Sequence, residues 1–223
     1  MKKILVLLIA FTLVFSLTCC GDDGEDGLTV IKNAFAATAP TMVVMETTQV
    51  HGNLTLNGKY TLTVGKVDGQ NATQYLAVYD KLNTIEDGAG TTIKPPVVEV
   101  TESREYVADK GVRENGGKWN KKGDDFAPEA GRYALNLTES AVLGYTFENN
   151  VFSCIIVAED TETVLGKGNA IPADVTLEIV TDGVVITAVN MSYTIEAVDE
   201  YPEITVTVKT TYSYDVQSIT LVK

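Results

Sequence analysis

The chain is poor in the residues from which metal sites, redox sites and basic binding surfaces are usually built. Its 223 residues include one histidine, His51, one tryptophan, Trp119, and three cysteines. That leaves too few imidazole and thiolate ligands for a zinc site of ordinary type. No CxxC pair, HExxH helix, phosphate-binding glycine loop or nucleophile elbow occurs. Basic residues number 17 against 30 acidic ones, and a net charge of −13 argues against nucleic acid or anionic lipid as a partner held through basic patches. Long apolar runs are scarce too. Ile4 to Leu17 is broken only by Thr12 and Ser16, and no second run of that kind follows.

What is present begins at that run. Lys2 and Lys3 precede it, giving a charged start and an apolar core shorter than the roughly 20 residues that span a bilayer. The pattern is that of an export signal over residues 1–19, and the rest of the chain is expected not to span a membrane. The run ends in Leu17-Thr18-Cys19-Cys20, which resembles the lipobox of bacterial lipoproteins: an aliphatic residue, two small ones, then cysteine. The resemblance implies that Cys20 carries a diacylglyceryl group and becomes the new N-terminus. In the alternative frame Cys19 is acylated and Ser16 fills the aliphatic slot. Two or more acyl chains, at about 0.8 kcal/mol per buried CH₂, anchor stably where one chain does not. The implied location is the outer face of a bacterial cell membrane, or an outer membrane where the host has one.

Residues 20–27, with Gly21-Asp22-Asp23-Gly24-Glu25-Asp26-Gly27, read as a solvated acidic tether. They lack the twelve-residue ligand spacing and distal glutamate of a calcium hand. Loss of Lys2 and Lys3 with the signal leaves 15 basic residues against 30 acidic, a net charge of −15. The remaining length, residues 28–223, suits a single domain with one core. With the lipidated cysteine set aside, Cys154 in VFSCIIVA reads as a small buried hydrophobe, and an internal disulfide is not expected.

Along the chain, Leu28, Ile31, Ala34 and Phe35 fall on one helical stripe that Pro40 stops, predicting a helix from Leu28 to Ala39. After Pro40 the period becomes two. Strands are predicted over 42–50, 54–64, 73–82 and 97–110, with the second running long and bent through Asn57-Gly58, although that pair is itself a hairpin signal. Thr138 to Ala141 is read as a turn of helix. Asn149-Asn150 separates two strands, and residues 160–166 read as a short helix with Thr161 as N-cap and Gly166 as C-cap. Asp182-Gly183 sits in the hairpin position of two alternating strands. Ile204 to Tyr214 alternates without a break, and VQSITLVK is read as a closing strand. The expected fold class is mainly β (α+β): a curved antiparallel sheet or half-open barrel of about nine or ten strands, with a few short helices packed at its mouth. Few helices to cover a long one-sided sheet leave room for a cavity.

This order resembles the LolA/LppX-like superfamily of lipoprotein carriers over roughly residues 28–222. It rests on an N-terminal helix, a long meander, a plug near 138–166, and TLEIVTDGVVITAVNMSYTI with EITVTVKTTYSY as a last hairpin. The resemblance implies a concave face holding lipid or acyl chains, with no catalysis and no cofactor. The lipidated N-terminus departs from a carrier that shuttles between membranes and fits a tethered protein. Candidate ligand-facing residues are Tyr60, Leu62, Tyr75, Tyr79, Val206, Val208, Tyr212 and Tyr214; a tyrosine ring suits an apolar pocket mouth, with its hydroxyl near water. Asp124-Asp125 and Glu159-Asp160 read as solvated loop charges, and Trp119 as a packed ring in preference to a sugar platform. The alternative function is a cell-surface module with a fully packed sheet that binds a protein or glycan partner. A hydrolase would need two carboxyls facing across a cleft.

Overall fold

The computed structural model describes residues 26–82, 85–86, 92–93, 97–126, 135–198 and 202–222. The signal segment, Cys19, Cys20 and the tether up to residue 25 lie outside the described residues.

The elements in chain order are α1 (Gly27–Ala37), β1 (Met42–His51), β2 (Leu54–Val67), β3 (Gln70–Leu82), the two-residue strands β4 (Ile85–Glu86) and β5 (Thr92–Ile93), β6 (Val97–Val107), β7 (Gly111–Glu114), β8 (Leu143–Glu148), β9 (Val151–Ile156), a 3₁₀ turn (Ala158–Asp160), α2 (Thr161–Leu165), β10 (Val175–Thr181), β11 (Ile186–Ile195), β12 (Ile204–Ser213) and β13 (Gln217–Ser218). One sheet runs β7-β6-β3-β2-β1-β12-β11-β10-β9-β8, with β13 beside β2, while β4 and β5 pair separately. The sheet is open, ending at β7 and β8. It is two meanders joined where β1 meets β12 over ten consecutive antiparallel pairs, Met42 with Ser213 through His51 with Ile204.

Directly opposed residues share a face, so the registers sort the side chains. One row carries Ile179, Val189, Thr210 and Met45, and continues through Tyr60, Ala77 and Glu102. The next carries Leu177, Met191, Val208 and Thr47, and continues through Gly58, Tyr79 and Val100. This is the apolar side. The opposite face carries Glu46, Lys59, Asp80, Lys209 and Asn190, a polar set that sits in water.

The main core covers half of the apolar side. Leu28, Ile31 and Ala34 of α1 pack with Phe152, Leu177 and Ile179, together with Leu137, Ala141 and Val164 from the connection and α2. Each large apolar side chain buried there contributes about 1.5–3 kcal/mol. The helix stops at Ala37, two residues short of the expected end, because Thr38 is already extended ahead of Pro40.

Several expectations are refined. β2 continues unbroken through Asn57-Gly58 with no register shift, and the turn signal is used instead by Asp68-Gly69 and Asn149-Asn150, where both residues have positive φ, as a tight two-residue hairpin requires. Thr138 begins only one hydrogen-bonded turn, its carbonyl accepting from Ala141 and Val142. Asp160, not Thr161, stands at the N-cap of α2. The Thr161 hydroxyl turns inward, donating to the Ala158 carbonyl at 2.8 Å and accepting the Ile171 N–H at 2.9 Å. Gly166 ends α2 at φ +94°. The β10–β11 connection is four residues long because the Asp182 carboxylate takes the N–H groups of Val184 and Val185, which also holds its pKa below the usual carboxylate value.

The largest correction is at the C-terminus. VQSITLVK is not a closing antiparallel strand: only Gln217 and Ser218 pair, and they run parallel to Gly65 and Lys66 of β2. β2 extends past the start of β1 and so offers a short free edge there. A Cβ on Gly65 would stand 2.2 Å from the Gln217 carbonyl oxygen, so only glycine admits this approach. Beyond it, the tail crosses the polar face over a buried charge. The Glu105 side chain is fully buried and accepts from Arg113 Nε at 2.7 Å, Gln74 Nε2 at 2.8 Å and the Val222 N–H at 2.7 Å. The Arg113 guanidinium lies 4.7 Å from the Trp119 ring centroid, and Trp119 packs on a second small cluster of Ala72, Val107 and Ile219. Trp119 is thus a packed ring.

Removing the guanidinium with Arg113→Met strands a buried carboxylate and is expected to cost about 3–5 kcal/mol in urea unfolding. Pairing it with Glu105→Gln, which keeps an acceptor for the Val222 N–H, is expected to restore most of that stability.

Candidate functional site

α1, residues 135–142 and α2 lie over β8 to β11, whereas β1, β2, β3 and β6 carry the apolar side onward with half-buried side chains. Met45, Leu56, Tyr60, Leu62, Tyr75 and Tyr79 are all in this state. The candidates named from the sequence fall on the one face. Val43, Tyr212, Leu62 and Tyr75 occupy one register row, Tyr60 the next, and Val208 and Tyr79 the one after. Val206 shares the face but is 5 % exposed, part of the packed floor. Tyr212 and Tyr193 pack against the core under α1. Tyr214 follows β12, and its hydroxyl donates to the Ile186 carbonyl at 2.8 Å, a structural anchor.

Sequence reasoning missed Met45, Leu56, Ala77 and Glu102. Period-two spacing in β1 held a signal for Met45. Glu102 reads as an ordinary solvated charge until the register brings it opposite Ala77, between Tyr75 and Tyr79 of the same strand.

The tyrosines are ordered by one glycine. A Cβ on Gly58 would stand 2.7 Å from Thr47 Oγ1 and 2.9 Å from Tyr60 Cε2. In the room this leaves, the Tyr60 and Tyr79 rings stack with centroids 6.2 Å apart and planes 16° from parallel. The Tyr79 hydroxyl donates to Glu102 Oε1 at 2.9 Å. That bond and the Glu102 charge raise the Tyr79 phenol above its ordinary pKa; burial, then the charges of Tyr60 and Glu102, raise that of Tyr75. Both are therefore neutral donors at physiological pH. Arg104, next along β6, lies 4.0 Å from Glu114 and over the Phe126 ring at 5.0 Å from its centroid.

A groove of about 510 Å³ opens on the polar side near the β1–β2 and β2–β3 ladders, lined by Glu46, Thr48, Asn57, Lys59, Asp80 and Glu99 among others. Three of its charges are engaged: Lys59 pairs with Glu46 at 3.0 Å, and Asp80 accepts the Asn57 N–H at 2.8 Å. Asp125 accepts from the buried Thr73 hydroxyl at 2.7 Å. Among the described residues no group of three or more His, Cys, Asp or Glu side chains is placed to hold a metal ion, and no helix is long and apolar enough to cross a membrane.

No protein-family model and no curated protein sequence matches the chain. Among solved structures, a DUF1329 family protein from Desulfovibrio piger aligns over 86% of this chain and 93% of its own, with 9% identity and a TM-score of 0.25. A likeness at that level carries no argument about function.

Cys154 sits under the main core, and burial pushes its thiol up to about 12. His51 ends β1 and contacts Gln49 at 3.3 Å, four strand spacings away in the sheet, or roughly 19 Å along it. A Cys154–His51 pair is thereby ruled out. Because alkylation needs the thiolate and the raised pKa suppresses it, Cys154 is expected to resist iodoacetamide at pH 8 in the folded protein and react fully in guanidinium. Peptide mapping checks this.

Proposed function

We propose that the protein is a membrane-anchored extracytoplasmic lipoprotein that binds an apolar ligand, lipid or acyl chain, on the concave side of its sheet and acts without catalysis. One observation carries the reading: a continuous apolar side whose helical cover, among the described residues, stops at β11, with half-buried side chains on β1, β2, β3 and β6 beyond it. Large apolar side chains left partly exposed in one contiguous patch mark a binding surface more often than chance packing. The order of elements, like that of LolA/LppX-like carriers, supports the same reading, and the lipobox supports the anchor at Cys20.

The test is mass spectrometry of an organic extract of protein purified from host membranes. The expected result is a co-purifying apolar compound near equimolar amounts, reduced at least about tenfold by Leu62→Glu, which puts a charge in its path. A protein that carries nothing apolar and takes up no fluorescent fatty acid overturns the proposal. The anchor is tested separately: labelled palmitate is expected to enter the wild-type protein and to be lost in Cys20→Ala, whereas unchanged labelling moves the site to Cys19.

A further inference from the structure

The apolar side is not uniform. Along β1, β11 and β12, in the rows that hold the tyrosines, it carries no charged side chain; its charges are Lys66 near the end of β2 and Lys81, Glu102, Arg104 and Glu114 at the β3–β6–β7 margin. Arg104 is turned to Glu114 and to the face of Phe126. Lys81 is exposed near the end of β3. Arg104 also stands opposite Tyr75, and Lys81 follows Tyr79 on the same face, so Glu102 is the anionic charge among these rings. It faces Ala77, and Ala77 is flanked along β3 by Tyr75 and Tyr79 and faced across β2 by Tyr60. The Glu102 charge raises the phenol pKa of both Tyr75 and Tyr79. This cluster therefore joins one exposed carboxylate to the stacked rings of Tyr60 and Tyr79 and the ring of Tyr75.

We propose that Tyr60, Tyr75, Tyr79 and Glu102 form the head site for an ammonium group, so that the ligand of the apolar side is a cationic amphiphile. Aromatic faces beside a carboxylate attract a quaternary ammonium, whose weak hydration makes its transfer from water inexpensive beside rings. A phosphate or sulfate head would meet Glu102 at close range and be repelled. The alkyl chain runs from this cluster onto Leu62 and Met45, adjacent in the registers. The inference rests on the apolar-ligand reading.

Three probes with the same chain separate the two claims: octyltrimethylammonium, octyl glucoside and octyl sulfate, each titrated calorimetrically as monomer. Octyltrimethylammonium is expected to bind at least about tenfold more tightly than the others. Glu102→Gln is expected to bring the ratio of octyltrimethylammonium to octyl glucoside affinity to about one, and Tyr60→Leu, which keeps apolar bulk without a π face, to lower the same ratio. Lys81→Ala is expected to strengthen ammonium binding, and Glu178→Gln on the opposite face to leave it alone. Equal binding of the three probes, or an ammonium preference that survives Glu102→Gln, overturns the head site and leaves the apolar reading standing. No binding of any probe overturns both.

Discussion

The ladder between β1 and β12 is the constraint on which the rest depends. It joins the second strand-rich half of the chain to the first, and its ten pairs run without a shift. Because side chains alternate with a period of two, a slip of one residue at this seam would put the apolar set of one meander on the polar side of the other. Held in phase, both meanders offer one continuous apolar side. The order of strands follows directly: β1 and β12 lie in the middle of the sheet, and the open edges fall to β7 and β8, which are consecutive strands in the chain.

The two halves of the sheet then solve different problems. Over β8 to β11 the apolar side is closed by α1 and the segments around Leu137 and Val164. Over β1 to β6 among the described residues the same side is left half-covered, and the order there comes from its opposite face. The tail that leaves β12 crosses β2 and reaches Glu105 and Arg113, stitching the outer strands to the middle of the sheet. A buried ion pair is weak evidence for net stability, but a carboxylate with three donors supplied by β3, β7 and the tail specifies where each must lie. Rigid support on the polar side is what allows the apolar side to stay accessible without collapsing.

How far the sequence reveals this depends on range. Elements set by local chemistry are legible: the α1 stripe, Asn149-Asn150 as a hairpin, Gly166 as a helix end, and the one-face alternation from Ile204. Period two also tells which residues share a face within a strand, so Tyr60 with Leu62 and Tyr75 with Tyr79 could be grouped in advance. It does not tell which strands are neighbours. The stack of Tyr60 on Tyr79 depends on Gly58 meeting Thr47 from another strand, and Asn57-Gly58 looks like a turn when read alone. The tail misled for the same reason: VQSITLVK has strand composition, but the edge it meets is the short stretch at Gly65 and Lys66, and past Ile219, whose N–H donates to the Lys66 carbonyl, its hydrogen bonds go to side chains.

Glu102 and Glu105 show how completely the face decides a residue's role. They lie three residues apart on one strand and are chemically identical, yet odd and even positions of β6 look in opposite directions. Glu105 faces the tail and is buried with three protein donors on it, so it is spent on structure. Glu102 faces the tyrosines, remains exposed, and has one protein donor, the Tyr79 hydroxyl, shown on it. A carboxylate with remaining lone pairs, set among half-buried rings and beside an apolar floor, retains the capacity to meet a ligand. Local sequence around the two, TESREYV, carries nothing that separates them; the difference arises only when the ladders to β3 and β7 fix which side of the sheet each one sees.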